Sequence, residues 1–367
     1  MKIKAAVANQ NGGAFKLMDV ELDTPRDDEI LVKIAAVGLC HTDIVAQHGA
    51  FNFGRPAVLG HEGAGIVEQT GKSVTKVAPG DRVALSFRSC GACAKCNTGH
   101  PAYCHSMPLL NYAGMRTDGS RAIRCDGEEI ASNFFGQSSF ATHALTYEQN
   151  VVKIPDDLPF EIAAPLGCGI QTGAGSIINS LKCAAGSSLL VTGGGVVGLS
   201  AVMAGVLRGG ATIIVLEPHQ SRRDMALKLG ATHVINPMED ADLAAAVRKI
   251  SPLGVDYAFD TTGRQDVLDA IMHALAPQGI LGCVGIGTPE TKLPGNLIQA
   301  MTFGHTVMGI VEGDSDPSRF IPELITYYRD GRLPLDQLIK TYKFADINEA
   351  IADQHAGKCI KVVLTFD

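Results

Sequence analysis

Four cysteines in "CGACAKCNTGHPAYC", Cys90, Cys93, Cys96 and Cys104, are spaced C-x2-C-x2-C-x7-C. Thiolates this close in sequence suit tetrahedral Zn2+ in a closed structural site. An iron–sulfur cluster also uses close cysteines, but no Pro follows the fourth cysteine and no electron-transfer motif accompanies it. The expected role is to fold a loop, with Lys95 and His105 offsetting the thiolate charge. Three further residues lie in Gly-flanked turns: Cys40 in "GLCHTD", His61 in "LGHEGAG" and Cys168 in "LGCGIQTG". Two thiolates and an imidazole neutralise Zn2+ and leave one position open, as in a catalytic site. Taken singly, each also reads as an ordinary residue, because a buried cysteine is commonly a small core group.

A second kind of chemistry sits in "VTGGGVVG", which holds G-x-G-x-x-G at Gly193, Gly195 and Gly198. The motif follows a strand pattern and opens a helix pattern. The first Gly allows a tight turn, the second lets a pyrophosphate approach the backbone, and the third packs helix on strand. The helix N-terminus then offers free N–H groups to phosphate. Glu217 ends the next strand pattern, "TIIVLE". A carboxylate there accepts hydrogen bonds from ribose hydroxyls and repels a 2′-phosphate, which favours NAD over NADP.

These residues need two scaffolds. The chain of 367 residues exceeds one ordinary core. At 46% hydrophobic and 19% charged residues it reads as a globular protein. A net charge of −7 and the lack of a basic run argue against a nucleic-acid surface. No stretch has the length and apolarity of a membrane span. The opening residues show no signal-peptide pattern, so a cytoplasmic location and reduced cysteines are expected. Up to about residue 155, Gly-rich segments such as "EILVKIAAVG", "GAGIVEQTG" and "DRVAL" predict short strands between turns. After about residue 170, apolar strands alternate with helices, predicting a doubly wound parallel sheet, with helices around 239–250 and 265–275. "DPSRFIPELITYYRDG" predicts a helix capped by Asp316, with Pro322 expected to delay or bend it. "CIKVVLTF" predicts a last strand that rejoins the first domain.

Together these segments resemble the zinc-dependent medium-chain alcohol dehydrogenases. "GHEGAGIVEQTG", "GDRV", the four-cysteine lobe, "GCGIQTGAG" and "GGGVVGLS" match that family in order and spacing, from about Lys4 to Phe366. The ending "VEGDSDPSRFIPELITYYRDGRLPLDQLI" is similar to the benzyl (aryl) alcohol and geraniol dehydrogenase branch. The resemblance implies an α/β protein with a GroES-like β-rich catalytic domain, 1–169 and 311–367, carrying a structural zinc lobe at 90–104. A Rossmann NAD-binding domain would span 170–310. It implies two Zn2+ per subunit, with Cys40, His61 and Cys168 on the catalytic ion. Glu62 would lie near that ion, and Asp43 would orient His61. Thr172 and Val197 would flank the nicotinamide, and His41 and Lys361 would approach the pyrophosphate. The reaction implied is reversible, NAD-linked oxidation of a primary aromatic or allylic alcohol, in a homodimer or homotetramer.

In such a reaction Zn2+ acts as a Lewis acid on the alcohol oxygen, and Thr42 is the expected first proton acceptor. Many family members continue the relay to a histidine five residues after the cysteine ligand. Here that position is Val45. His48 could substitute, or water could take the proton. Phe51, Phe53, Phe87, Phe140 and Ile310 are candidate pocket walls. "GILGCVGIG" and "NLIQAMTFGHTVMGI" could bridge subunits. The rival classes are a nucleotide-binding structural protein without chemistry, which would lack catalytic ligands, and a zinc-ribbon interaction module.

Overall fold

The computed structural model describes residues 1–9, 12–51 and 53–366. The chain divides into two compact units: residues 1–168, 316–326 and 334–367 form one, and 169–315 with 327–333 form the other.

The first unit is built on β-sheets. One sheet runs through Val151–Lys153, Arg82–Leu85, Gly63–Thr70, Glu29–Gly38, Lys361–Thr365 and Ile339–Lys343, and His143–Tyr147 also pairs with Glu29–Gly38. A second sheet orders Ala57–Val58, Lys2–Ala8, Lys16–Leu22, Ile123–Cys125 and Glu128–Ile130. Glu29–Gly38 is apolar nearly throughout because residues on both of its faces are buried, and strands pair along both of its edges. Two of its pairings matter for chemistry. Val37 lies opposite Gly63, which brings the segment after Gly38 alongside His61 and Glu62. Val363 lies opposite Gly38, so the last strand returns to the same place, as the sequence predicts.

The second unit holds six parallel strands in the order His233–Ile235, Thr212–Leu216, Ser188–Thr192, Val255–Asp260, Leu275–Cys283 and Thr306–Gly309. Numbered by sequence this is 3-2-1-4-5-6, the Rossmann order. The turn after Ser188–Thr192 therefore stands at the topological switch point, where ligands bind in such sheets.

Three expectations change. The helix expected around 239–250 starts at Leu243, because the Asp242 side chain caps it by accepting from Ala245 N at 2.9 Å. Pro322 neither delays nor ends the helix Pro317–Arg329. Asp316 caps its first turn through Ser318 N at 3.0 Å, and Ser318, whose carbonyl loses the proline's absent N–H, is exposed to water. "GILGCVGIG" contributes to Leu275–Cys283, whose two edges are both paired, so it cannot bridge subunits through an open edge.

Candidate functional site

The first site grows from the end of Glu29–Gly38. Gly38 N donates to Glu62 O at 3.0 Å, and any Cβ on Gly38 would collide with Glu62 Oε2. Glycine here is thus what lets the glutamate in. Cys40 caps the short helix His41–Gln47, and its N–H donates to Asp43 Oδ2 at 3.1 Å. Asp43 Oδ1 accepts from Gly60 N at 3.1 Å and lies 2.8 Å from His61 Nδ1. The Asp43 carboxylate, fully buried, thereby fixes Nδ1–H on His61 and leaves Nε2 to face elsewhere. Cys168 follows the turn Ala164–Gly167, where Ser86 Oγ donates to Gly167 O at 2.6 Å. A Cβ at Gly167 would strike the Leu85 carbonyl, so glycine sets how closely this turn approaches the strand Arg82–Leu85.

The Cys40 and Cys168 sulfurs stand 4.0 Å apart, and ligand atoms of Cys40, His61, Glu62 and Cys168 all lie within 4.8 Å of one another. His61 Nε2 is buried and has no hydrogen-bond partner. A buried polar atom without a partner is costly, and a divalent cation among two thiols and this nitrogen would satisfy it. The donor set, S, S and N, is the one Zn2+ takes in catalytic sites. The Cys168 thiol beside it, opposed by burial and helped by His61, holds the Cys40 thiol well below its ordinary pKa. Burial opposes charge on His61, yet Asp43 and Cys40 hold the imidazole well above its ordinary pKa. Binding a metal would therefore displace the imidazolium proton.

Lys361, expected to approach the pyrophosphate, has its ammonium fully buried, donating to Leu39 O at 3.0 Å and paired with Glu62 Oε2. The reason is register: Leu39 N bonds Val362 O, so residue 361 points at Leu39 and Glu62. Burial works against the ammonium, but Glu62 more than compensates and raises its pKa. Burial also pushes the Glu62 carboxyl up, against the pull of Lys361. Of the remaining expected residues here, Thr42 Oγ1 accepts from Cys40 Sγ at 3.6 Å, and His41 is exposed at the helix start. Val45 is half-buried. His48 ends that helix with Nδ1 on Ile44 O at 2.8 Å.

Rings that the sequence reading missed surround His61. Its imidazole stacks on Phe135, centroids 4.3 Å apart, and meets Phe134 edge-on at 5.6 Å. From these the cluster continues to Tyr112, Phe51 and Phe53. Of the expected wall residues, Phe51 and Phe53 belong to it. Phe87 and Phe140 are core, and Phe140 packs on Phe15. Ile310 packs in the second unit against Gly282. The adjacent "FF" of "SNFFGQSS" was the available signal.

The four-cysteine lobe forms a separate cluster with ligand atoms within 4.8 Å of one another. All four cysteines are free thiols. Backbone N–H groups of Ala92 and Cys93 point at Cys90 Sγ, and those of Cys90 and Ser106 at Cys104 Sγ. Such donors favour thiolates. Amides of Cys96 and His105 bring Cys93 down to about 6, whereas burial pushes Cys104 up to about 12. Four sulfurs and no open position fit a structural Zn2+.

In the second unit Gly193 has φ +96°, a left-handed turn that an L side chain rarely adopts. Gly195 caps the helix Val196–Leu207, and a Cβ there would meet open space. A Cβ on Gly198 would collide with Gly193 O. Turn, open approach and close packing are thus divided among the three glycines as a pyrophosphate cradle requires. Glu217, nearly fully buried, accepts from Gly194 N at 2.6 Å and His219 N at 2.8 Å, at the edge of that cradle. Thr172 is buried with Oγ1 donating to Glu312 Oε2 at 3.3 Å, and Val197 is half-buried.

Fold and donor sets together define a metal-dependent nucleotide-linked oxidoreductase. Residues 26–156 match the alcohol dehydrogenase GroES-like domain and 196–326 the zinc-binding dehydrogenase. The geraniol dehydrogenase of Castellaniella defragrans is 45% identical over 99% of this chain and 97% of its own. The S-(hydroxymethyl)glutathione dehydrogenase of Komagataella pastoris is 33% identical over 100% of this chain and 98% of its own. The crystal structure of benzyl alcohol dehydrogenase from Acinetobacter calcoaceticus superposes with a TM-score of 0.96 at 41% identity, covering 100% of both chains. This chain belongs to the zinc-dependent medium-chain alcohol dehydrogenase family. It is an oxidoreductase with that family's GroES-like and Rossmann folds and its cofactors, Zn2+ and NAD.

Proposed function

We propose that this enzyme oxidises a primary aromatic or allylic alcohol, of the benzyl alcohol or geraniol kind, to its aldehyde with NAD, reversibly. The observation that carries the substrate class is the cluster of rings continuous with His61. A planar conjugated substrate gains stacking area from such rings, whereas a short aliphatic alcohol does not. The similarity to geraniol and benzyl alcohol dehydrogenases supports the same class.

Zn2+ would supply a Lewis acid for the alcohol oxygen, and NAD the hydride acceptor. Cys40 Sγ, His61 Nε2 and Cys168 Sγ would hold the catalytic ion, with Asp43 keeping the imidazole in the required tautomer. Cys90, Cys93, Cys96 and Cys104 would hold the structural one. Thr42 Oγ1, beside Cys40, takes the alcohol's proton. Val45 cannot carry it further, and His48 stands exposed at the end of that helix, so water takes the proton onward. Gly193, Gly195, Gly198 and the first turn of Val196–Leu207 would receive the pyrophosphate, and Glu217 the adenosine ribose. Thr172 and Val197 would border the nicotinamide.

We also infer assembly with a second copy. Leu293, Leu297, Ile298 and Met301 are 84%, 74%, 77% and 74% exposed, on the helix Leu297–Phe303 and just before it. Apolar exposure on this scale needs a partner surface. No helix among the described residues is long and apolar enough to cross a membrane.

The test is NADH absorbance with benzyl alcohol, geraniol and ethanol, each with NAD and NADP. Turnover with NAD and a kcat/KM at least about tenfold higher for the conjugated alcohols is expected. Preference for ethanol, or for NADP, would contradict the assignment.

A further inference from the structure

The segment that carries the rings against His61 is held in an unfavourable backbone. Asn133, Phe135 and Ser138 have φ of +63°, +52° and +54°. For a bulky residue such as Phe135 this region is a true outlier, maintained only where the surroundings enforce it. Asn tolerates it best, and the buried Asn133 amide leads out of the site along a line of buried groups. Asn133 Nδ2 donates to Tyr147 Oη at 2.9 Å, and that hydroxyl donates to Glu29 Oε1 at 3.1 Å. Glu29 is forked by Arg116, with Nε to Oε1 at 2.6 Å and Nη2 to Oε2 at 3.0 Å. The Tyr147 ring is clamped by the Arg88 guanidinium, 3.2 Å from its centroid. All four residues of this line are nearly inaccessible.

We propose that the Tyr147 hydroxyl is a positioning group for substrate selection. It transmits the rigidity of the Arg116–Glu29 pair to Asn133, and so fixes where Phe134 and Phe135 stand relative to His61. This rests on the reading of those rings as a wall for a conjugated alcohol. Tyr147 touches neither metal ligand nor cofactor cradle. Without its hydroxyl, Asn133 Nδ2 loses its acceptor in a dry setting, and the left-handed turn is free to relax. Benzyl alcohol, which needs the rings, then binds more weakly. Ethanol, which does not reach them, is unaffected.

The experiment uses the zinc-loaded, full-length enzyme and Tyr147→Phe, which keeps the ring over Arg88. Expected are a five- to tenfold rise in KM for benzyl alcohol, KM for ethanol within twofold, and kcat within twofold for both. Asn133→Gly removes the same bond while keeping a backbone free to be left-handed; it carries the test if Tyr147→Phe does not fold. In the double variant KM for benzyl alcohol rises no further than in the worse single one, since both delete one interaction. An unchanged KM for benzyl alcohol, an equal rise for both alcohols, or additive effects would each overturn the proposal. Wild-type enzyme is measured first: no preference for benzyl alcohol over ethanol there would instead overturn the substrate reading itself.

Discussion

Replacing Lys361 by Met removes the ammonium facing Glu62 and leaves a carboxyl with no solvent exposure. A carboxylate stranded this way avoids most of the penalty by taking a proton. The cost at pH 7 is then bounded by that of holding a carboxyl of ordinary pKa 4.5 protonated at that pH. At about 1.4 kcal/mol per unit this is roughly 3 kcal/mol. In units of this size the loss lowers Tm by about 6–12 °C. The sign with pH is specific. In the variant the folded-state pKa of Glu62 is raised further, so its penalty grows as pH rises above 4.5 and fades as pH falls towards it. Melting curves of both proteins from pH 5 to 8 read this directly, with the gap narrowing towards pH 5. Adding Glu62→Gln to the variant recovers most of the loss at pH 7, because no buried charge remains. A gap independent of pH, or a double variant no better than the single, would refute the reasoning.

Asp43→Asn would turn its NH2 either towards the Cys40 N–H or, flipped, towards the Gly60 N–H and His61 Nδ1, and would remove the charge that fixes the His61 tautomer; zinc competition and kcat/KM should fall about 10- to 100-fold. Gly195→Ala points into open space and should leave Tm unchanged while weakening NAD binding by roughly tenfold. Gly198→Ala, which meets Gly193 O, should lower Tm as well; calorimetric titration with NAD separates the two. His48→Ala should leave the pH profile of kcat within about twofold of wild type, since the residue is exposed at the helix end and water serves the proton there. A large loss at neutral pH would restore His48 to the proton path.

Much of the site is legible because its chemistry is local in sequence. Cys90, Cys93, Cys96 and Cys104 declare themselves by spacing, and Gly193, Gly195 and Gly198 by standing between a strand and a helix. Cys40, His61 and Cys168 were suggestive singly and became a set only through the family resemblance. Their meeting depends on the register of Glu29–Gly38 with Gly63–Thr70 and on how closely Gly167 approaches Leu85. The pairing of Lys361 with Glu62 was not legible, because the two lie some 300 residues apart and only the return of the last strand beside Gly38 joins them. Phe134 and Phe135 carry no periodic signal, since left-handed backbone turns them onto His61. Phe140 looks the same in sequence and is as deeply buried, yet it packs on Phe15, whereas Phe134 and Phe135 pack on His61. Aromatic type alone does not say which way a ring faces.

The central claim is that the two sulfur-rich clusters do different work. Zinc content, Tm and NADH production of Cys40→Ser and Cys93→Ser, measured side by side with wild type, test it most directly. Wild type should carry two zinc ions per chain, one for each cluster. Cys40→Ser should lose one ion and essentially all turnover while melting near the wild-type temperature. Cys93→Ser should lose the other ion and melt at a clearly lower temperature. Identical zinc loss and identical melting in the two variants, or full turnover in Cys40→Ser, would contradict the account.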